Sequence, residues 1–314
     1  MPLLPCTEAP EELLAMFNTD KESILARCYE PEPGLFIAES AKVTLRALDA
    51  GYEIIAMLIE DAQINQEADE LISRLPDIPV YHAPSHQFRE ISGYPMTRGV
   101  LSLFRRRYRS RPDSSQSLLL HPGYRGSGFE EFLHSLAPVS CQQPATAKNT
   151  PEDTENNNSE PGSPLRLAVL EDVSNPANIG SIFRNAAALG IDAVLLSKGC
   201  CDPLARRCLR VSMGCIFQVP WCMTGMTGAQ IAGALRSQDI RSAAMALSDN
   251  SVSITDPALR KASRLAIFLG NEGNGLPQET ILACDYVVRI PMREGVDSLN
   301  VAAASAVAFW ELHP

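Results

Sequence analysis

Polar residues interrupt the last apolar stretch of the chain, IPMREGVDSLNVAAASAVAFWEL, which runs from Ile290 to Leu312. The stretch begins like a strand and ends as a helix almost free of charge. Ser298 and Asn300 lie at the break, where their side chains and the unpaired N–H groups of the first helical turn would face a ligand. A packed core does not need such a turn, so we interpret it as part of a site. Simple helix capping by the same two residues is the alternative.

A second polar block, NPANIGSIFRNAAALG, covers 175–190 and carries Asn178 and Arg184. The two are six residues apart (184 − 178 = 6), nearly two helical turns, so they are not direct neighbours on one face. Arg184 is a charge within an otherwise apolar helix. It is either a solvated or ion-paired arginine, or a guanidinium that reaches a phosphate or carboxylate.

A glycine-rich block, LGNEGNGL, covers 269–276 and follows the apolar run RLAIF. Its glycines let the backbone approach a ligand closely, although a tight turn without a ligand would need them too. The phosphate-binding patterns G-x-x-x-x-G-K-[ST] and, after the first strand of this half, G-x-G-x-x-G do not occur. Glu272 would repel a phosphate and suits a ligand with hydroxyl groups or a positive charge. A Rossmann-type nucleotide enzyme is therefore disfavoured.

Composition and charge describe an ordinary soluble globular protein, with 45% hydrophobic and 20% charged residues. The net charge of −10 argues against a protein that coats nucleic acid by bulk charge, but it leaves room for local basic patches. The N-terminus is acidic and lacks the basic start of a signal peptide. No stretch reaches the ~18 uncharged apolar residues of a membrane span. We therefore expect a cytoplasmic protein with no membrane partner.

The nine cysteines do not form a metal-binding pattern. No C-x-x-C pair exists, although four cysteines recur every seven residues: Cys201, Cys208, Cys215 and Cys222. On a helix their sulfurs would lie roughly 10 Å apart, too far to share one ion. We expect no metal site, and small buried thiols in a reducing compartment.

The pattern of the first third of the chain predicts a small α/β domain, which we assign to 1–108. Between about 34 and 104, strand patterns in LFIAES, EIIAMLIED, IPVYHAP and GVLSLF alternate with helical patterns in AKVTLRALDAG and SHQFREISG. Gly51, at the end of the first helical pattern, is a usual helix-ending residue.

A linker is predicted at 109–164. Its second part, 141–164, is rich in Pro, Asn, Ser and Glu and should be disordered. GFEEFLHSLAP, before it, is a short helical pattern that could belong to either domain. A long polar linker of this kind would let the two domains move independently.

The remainder, 165–314, alternates between strand and helix and predicts a parallel sheet flanked by helices. LRLAVLED is a nearly continuous apolar run, typical of a strand covered on both faces. Asp202 and Pro203 predict the start of a helix that continues to Met213. Further helices are predicted at 178–189, 227–238 and 277–284, and further strands in DAVLLS, IFQVP, SAAMAL, RLAIFLG and YVVRI.

The final helical pattern, NVAAASAVAFWEL, is apolar on nearly all faces and should be buried on all sides. If the helix lies outside the sheet, a second subunit has to cover it. We therefore hypothesise a homodimer.

The three blocks resemble the motifs of the SpoU/TrmH family of RNA ribose 2′-O-methyltransferases, within the SPOUT superfamily, in order and in spacing. The strong resemblance covers Leu165 to Leu312, and a weaker one, over about 34–104, is similar to the family's L30e/L7Ae-like substrate-binding domain. The resemblance implies an α/β fold whose C-terminal parallel sheet is threaded into a deep trefoil knot. It also implies a homodimer, S-adenosylmethionine as cofactor and a structured RNA, rRNA or tRNA, as substrate.

The resemblance also implies roles for individual residues. The backbone around Gly270, Ile290 and Leu299 would hold the cofactor, with Met292 and Gly275 nearby. The family gives the activation of the ribose hydroxyl to the matching Arg184. Since arginine is effectively never deprotonated in proteins, we expect it to anchor a phosphate and polarise the hydroxyl instead. The resemblance implies three residues that orient the substrate and Arg184, namely Asn178, Ser298 and Asn300. It also implies that Glu272 positions Arg184 or Asn178.

RNA affinity has to come from local charge in so acidic a chain. The candidates are Arg98 and two arginine clusters, one near the end of the first domain and one in the second. The first cluster is Arg105, Arg106, Arg107, Arg109 and Arg111, and the second is Arg206, Arg207 and Arg210. Arginines contact phosphate and stack on bases, although a run of charges is often only a solvated face.

Two alternatives remain on the same fold. A non-catalytic RNA-binding or ribosome-assembly protein would be expected to lack Arg184 or the stretch Ser298–Asn300, and both are present. A base methyltransferase of a neighbouring SPOUT family is less consistent with the Asn178–Arg184 and Ser298–Asn300 pairs.

Overall fold

The computed structural model of the protein describes residues 3–18, 34–75, 77–96, 98–106, 118–120, 129–136, 164–248, 250–295 and 298–313. Two sheets organise these residues. The first has the order β1-β4-β3-β5-β2 and is mixed, because β3 is parallel to β4 and antiparallel to β5. Its strands are β1 (Leu4–Pro5), β2 (Leu35–Glu39), β3 (Ile54–Glu60), β4 (Val80–Ala83) and β5 (Val100–Arg105).

Within the described part of the chain, four helices accompany the first sheet: α1 (Glu11–Met16), α2 (Ala41–Asp49), α3 (Gln66–Ser73) and α4 (Ser85–Ser92). Helices α2 and α4 and strands β2 to β5 confirm the alternation predicted for 34–104. Gly51 and Gly93 follow α2 and α4 with φ angles of 77° and 83°, so both helices end at a left-handed glycine.

The second sheet has eight strands in the order β11-β13-β10-β12-β7-β8-β9-β6. Every pair is parallel except β6 with β9, which confirms the predicted parallel sheet and adds one antiparallel edge strand. All six residues of β7 are buried, as its apolar run predicts. The strands are β6 (Leu118–Leu120), β7 (Leu165–Leu170), β8 (Ala193–Ser197), β9 (Trp221–Thr224), β10 (Arg241–Met245), β11 (Val252–Ser253), β12 (Arg264–Leu269) and β13 (Tyr286–Arg289).

Helices cover both faces of this sheet. One apolar cluster holds the buried side chains of α6, α7, α9 and α11, and the other holds those of α5 and α8, with α10 packed against it. The helices are α5 (Phe129–Ser135), α6 (Pro176–Ala188), α7 (Arg206–Val211), α8 (Gly228–Arg236), α9 (Pro257–Lys261), α10 (Gln278–Ala283) and α11 (Val301–Glu311). Among the described helices, none is long and apolar enough to cross a membrane.

Two local predictions for the second domain are wrong. The run IFQVP does not form a strand, because Cys215–Phe217 is a 3-10 turn and β9 begins only at Trp221. The apolar side chains of that turn are buried in the core without any strand pairing. Asp202 does not cap α7, whose N-cap is Ala205. Its carboxylate instead accepts a hydrogen bond from the N–H of Leu204 at 2.8 Å and closes a turn before the helix.

Parts of the predicted linker are packed against the second sheet. Strand β6 pairs with β9, and Phe129, Phe132 and Leu133 of α5 are buried in the core beside β7 and β8. The boundary at 109–164 is therefore corrected for these segments. The predicted disordered part, 141–164, lies outside the described residues except for Pro164.

The two domains are docked through a shared apolar cluster. Phe36 of β2 stacks on Phe104 with ring centroids 5.3 Å apart and lies 6.0 Å from Phe217 of the second domain. Tyr52 meets the same Phe217 ring edge-on at 5.4 Å. Across the same boundary, Arg46 donates to the carbonyl oxygen of Met213 at 2.8 Å. The described residues thus favour a fixed arrangement over the independent movement expected from the linker.

Candidate functional site

A cavity of about 490 Å³ opens at the carboxyl ends of β10, β12 and β13. Ligands of open α/β sheets bind outside this edge of the strands. The loop 269–276 after β12 and the segment 245–247 after β10 form two of its walls. The chain leaving β13 and the residues before α11 complete the lining with Ile290, Met292, Ser298, Leu299 and Asn300.

The loop 269–276 is closed tightly on itself. Asn271 and Gly275 exchange two backbone hydrogen bonds of 3.2 and 3.0 Å, and Gly275 has a φ of 67°, which favours glycine. A Cβ atom on Gly270 would lie 2.4 Å from the backbone of Gly275 and Leu276, so a larger residue cannot fit without moving the loop. The glycines therefore build a preformed backbone wall.

The Asn271 side chain fastens this loop to the neighbouring strand end. Its Nδ2 donates to the carbonyl oxygen of Asp172 at 2.8 Å, and its Oδ1 accepts from the N–H groups of Gly273 and Asn274 at 2.8 and 3.2 Å. Sequence reasoning missed Asn271 as a site residue. Its place directly after Gly270 in a glycine-rich turn was the available signal, because asparagine side chains often bond to nearby turn backbone.

Hydrogen bonds join all three sequence blocks behind the cavity. Asn178 Nδ2 donates to Glu272 Oε1 at 2.8 Å, and Asn300 Nδ2 donates to Asn178 Oδ1 at 3.2 Å. The backbone N–H of Asn175 donates to the same Glu272 oxygen at 3.2 Å. Both ends of the Asn178 amide are therefore held by partners from distant parts of the chain. The side chain is also buried.

The caps of the two helices align this chain of bonds. Asn175 caps α6, accepting from the N–H of Ala177 at 2.9 Å, with Pro176 at the first helical position. Asn300 caps α11, accepting from the N–H of Ala302 at 2.9 Å. Capping and site formation are thus not alternatives for Asn300, since its oxygen caps the helix while its nitrogen reaches Asn178.

The environment of Glu272 favours its ionised form. Burial alone would raise the pKa of its carboxyl, but hydrogen bonds from Asn178 and from the backbone N–H groups of Glu272, Asn175 and Ser174 outweigh burial and lower the pKa. A carboxylate with a lowered pKa is a poor proton acceptor. Glu272 is therefore better suited to hold Asn178 in place than to accept a proton.

Arg184 lies on α6 with its side chain exposed, whereas Asn178 on the same helix is buried. Among the described residues, Arg184 makes no hydrogen bond or ion pair. Its neighbour Asn185, which sequence reasoning missed, donates to the carbonyl oxygen of Ala302 and to Ser305 Oγ of α11, both at 2.9 Å. The helix is thereby locked to α11 while the guanidinium of Arg184 stays accessible to a ligand.

The structure places most of the predicted cofactor-binding and catalytic residues around the cavity. All five predicted cofactor residues line the cavity: Gly270, Gly275, Ile290, Met292 and Leu299. Of the predicted catalytic residues, Glu272, Ser298 and Asn300 also line it. Asn178 lies behind Glu272, and Arg184 is outside the lining.

Two of the arginines predicted to contact RNA are inside the protein. Arg106 and Arg206 are 5% and 3% exposed. Arg106 pairs with Asp202 of the second domain, and Arg206 pairs with Glu39 of the first. Both also donate to backbone carbonyl groups of the first domain, those of Leu35 and Phe17, at 2.8 and 2.9 Å. We correct the prediction for these two residues, because they join the domains and are not accessible to RNA.

The other predicted RNA contacts differ in exposure. Arg105 is partly exposed and lies 3.2 Å from Glu53, and Arg207 and Arg210 of α7 reach the surface. Arg107 lies outside the described residues.

The described cysteines are all free thiols, and no group of three or more His, Cys, Asp or Glu side chains that could hold a metal occurs in this part of the chain. Burial raises the pKa of Cys200 and Cys284 to about 12. Such thiols stay protonated and behave as small apolar side chains.

The fold and the cavity define the class: an α/β protein with a ligand-sized cavity at the carboxyl edge of a parallel sheet. The profile of the SpoU rRNA Methylase family matches residues 166–310. An uncharacterized tRNA/rRNA methyltransferase from Mycobacterium bovis is 32% identical over 278 residues, covering 88% of this chain and 80% of that protein. The chain therefore belongs to the SpoU/TrmH family of RNA methyltransferases, which confirms the resemblance.

Further relatives cover one or both domains. A 23S rRNA (guanosine-2′-O-)-methyltransferase, RlmB, from Bordetella pertussis is 32% identical over 148 residues, 47% of this chain and 59% of that protein. The structure of an AdoMet-bound rRNA methyltransferase from Sinorhizobium meliloti has a TM-score of 0.65 at 21% identity and covers 99% of this chain and 96% of that one. The SpoU methyltransferase AviRb from Streptomyces viridochromogenes, in complex with AdoMet, has a TM-score of 0.64 at 17% identity over 96% and 94% of the two chains. The fold is thus shared over both domains.

Proposed function

We propose that the protein transfers a methyl group from S-adenosylmethionine to a ribose 2′-hydroxyl of a structured RNA, rRNA or tRNA. One observation carries the proposal. The hydrogen-bonded chain Glu272–Asn178–Asn300 brings the three sequence blocks together at the edge of a preformed cavity.

The cavity residues fit S-adenosylmethionine. The backbone wall around Gly270 offers close approach and hydrogen-bonding groups without a charge, while Ile290, Met292 and Leu299 offer an apolar surface to an adenosine. The charged side chains among the described lining residues are Glu272 and Arg289, one of each sign, as suits a ligand that carries both charges. When bound, the cofactor supplies an electrophilic methyl group on a sulfonium.

Positioning of the hydroxyl is the main task of the protein in an in-line displacement. The exposed Arg184 anchors an RNA phosphate and polarises the ribose hydroxyl. Asn178 and Asn300, already bonded to each other, fix the edge on which the ribose rests, together with Ser298. Glu272 stays ionised and orients the side chain of Asn178.

Three further features belong to the proposal. The domain 1–108 is an L30e/L7Ae-like substrate-binding domain, and 165–314 is a catalytic domain whose C-terminal segment is threaded into a trefoil knot. The exposed apolar side chains Val307 and Trp310 on α11 form part of a homodimer interface. The protein acts in the cytoplasm, and Arg105, Arg107, Arg207 and Arg210 are its candidate RNA contacts.

Binding of S-adenosylmethionine, measured by titration calorimetry, separates this function from that of a non-catalytic RNA-binding protein. The wild type should bind the cofactor, and Gly270→Ala should bind it much more weakly because the new Cβ displaces the loop. A map of 2′-O-methyl groups in RNA from cells with and without the protein should then differ at defined nucleotides. Identical maps would refute the ribose assignment.

A further inference from the structure

A second cavity, of about 450 Å³, lies between the two domains, away from the glycine-rich loop. The first domain contributes the end of β2, the start of α2 and the segment between α4 and β5 that holds Tyr94, Met96 and Arg98. The second domain contributes Arg210 of α7 and Met213 just after it. An occupant of this cavity would contact both domains at once.

The charges around the cavity leave a positive excess. Glu39 is buried and pairs with the buried Arg206, so these two charges compensate each other. Arg210 lies 3.4 Å from the second oxygen of Glu39 and keeps 46% of its side chain exposed. The guanidinium of Arg98 is exposed and has no partner among the described residues. Two arginines thus face the cavity in a protein whose net charge is −10.

Tyr94 holds one of these arginines in place. Its hydroxyl donates to Glu39 and accepts from Arg210 Nη1 at 2.8 Å. The guanidinium carbon of Arg210 also lies 5.5 Å from the centre of the Tyr94 ring, within the range of a cation–π contact. An arginine positioned in this way loses less freedom when it binds an anion.

The remaining lining gives the cavity an apolar side. Pro95, Met96 and Met213 offer a surface of the kind on which a nucleobase packs, next to the two guanidinium groups. Guanidinium planes and apolar side chains that flank an unstacked base, with arginine on the phosphate, are the usual elements of single-stranded RNA recognition.

We propose that this interdomain cavity binds one unpaired nucleotide of the RNA substrate, with its phosphate at Arg98 and Arg210 and its base against Met96 and Met213. The inference rests on the proposed function, since it takes RNA as the substrate. A nucleotide in the cavity contacts α7, which packs against α6 so closely that a Cβ on Gly180 would lie 2.7 Å from the Cys208 carbonyl oxygen. The helix that would contact the nucleotide, α7, is therefore packed directly against α6, the helix that carries Arg184.

The test measures the affinity of Arg98→Gln, Arg210→Gln and the double variant for a fluorescent single-stranded 12-mer oligoribonucleotide of mixed sequence. Each single variant should weaken binding about tenfold, as for a lost hydrogen bond between charged groups. Each should also reduce the dependence of log K on log salt by about 0.7. Arg74→Gln is the matched control, because its side chain is 45% exposed in the same domain and lies outside the cavity. An unchanged affinity and salt slope in the double variant would overturn the proposal.

A second measurement identifies the bound species. An oligoribonucleotide that contains 4-thiouridine should crosslink on irradiation to the peptide with Tyr94 and Met96, and crosslinks only elsewhere would contradict the proposal. If a free mononucleotide such as UMP binds the cavity as tightly as the oligoribonucleotide does, the site serves a free nucleotide and the RNA assignment is wrong. If crosslinking occurs at the cavity but no methyl transfer is detected, the proposed function fails while this binding site stands.

Discussion

Glu272, Asn178 and Asn300 come from three separate blocks of the chain and end within hydrogen-bond distance of one another. Two of them have a structural partner as well, since Asn300 caps α11 and Glu272 accepts from the backbone at Asn175. Arg184 differs from these three, because it is exposed and unpaired among the described residues. Because no structural contact in that part of the chain occupies its guanidinium, Arg184 is the best candidate for direct contact with the RNA.

The first prediction concerns that arginine. Arg184→Ala should lower methyl transfer by about 10²–10³-fold, because an electrostatic contact to the reacting group is lost. Calorimetry should show nearly unchanged affinity for S-adenosylmethionine, since Arg184 does not line the cavity. Arg236→Ala, which removes an exposed arginine on α8, is the control and should retain activity. Full methylation by the Arg184 variant would refute the assignment.

At the scale of elements, the packing of α6 against α7 decides how firmly Asn178 and Arg184 are held. A Cβ at Gly180 would lie 2.7 Å from the Cys208 carbonyl oxygen and 2.9 Å from Val211 Cβ. Only glycine therefore allows this approach of the two helices.

Gly180→Ala should destabilise the protein by about 1–3 kcal/mol, the usual cost of overpacking. The same substitution at Gly233 of α8, where a Cβ would meet nothing within 4 Å, should stabilise it by about 0.5–1 kcal/mol. Urea denaturation of both variants checks the pair. A Gly180 variant as stable as the Gly233 variant would show that α6 and α7 are not so closely packed.

Helix α11 is apolar on nearly all faces, but the described residues cover only one of its sides. Phe309 is buried against the core, whereas Trp310 is 74% exposed. The prediction that the helix is buried on all sides therefore requires a second subunit.

Trp310→Glu should convert the proposed dimer into monomers, because a carboxylate would enter an apolar interface. Leu282→Glu on α10 is the matched control, since Leu282 is 76% exposed and lies on the other face of the sheet. Sedimentation velocity should show a smaller species only for the Trp310 variant. A stable, active wild-type monomer would contradict the dimer.

At the scale of the molecule, buried ion pairs and an aromatic cluster join the two domains. Glu39 and Arg206 are 167 residues apart in the chain and are both buried at the boundary. Removal of one partner of a buried pair leaves an uncompensated charge.

Glu39→Gln should therefore lower the free energy of unfolding by about 3–5 kcal/mol. Glu53→Gln, which removes the exposed partner of Arg105, should cost about 0–1 kcal/mol. Denaturation curves of the two variants should separate accordingly, and equal effects would show that the domains are not docked through Glu39.

The same ion pairs show what the sequence could not predict. Strand β7 and the helix of the second block followed from local periodicity. The family resemblance of the glycine-rich block and of the last apolar stretch identified residues that line the cavity. Arg106 and Arg206 looked like accessible basic residues, because their partners Asp202 and Glu39 are 96 and 167 residues away. The run IFQVP wrongly predicts a strand, because burial in a turn and burial in a strand require the same apolar residues.

The proposed reaction of the protein is the transfer of a methyl group to a ribose hydroxyl. The most direct test incubates the purified protein with methyl-labelled S-adenosylmethionine and RNA from cells that lack the protein, then digests the RNA and separates the nucleosides. Label in a 2′-O-methyl nucleoside, within a dinucleotide that resists alkaline hydrolysis, is the predicted result. Label in a methylated base, or no transfer by a protein that binds the cofactor, would contradict the proposed reaction.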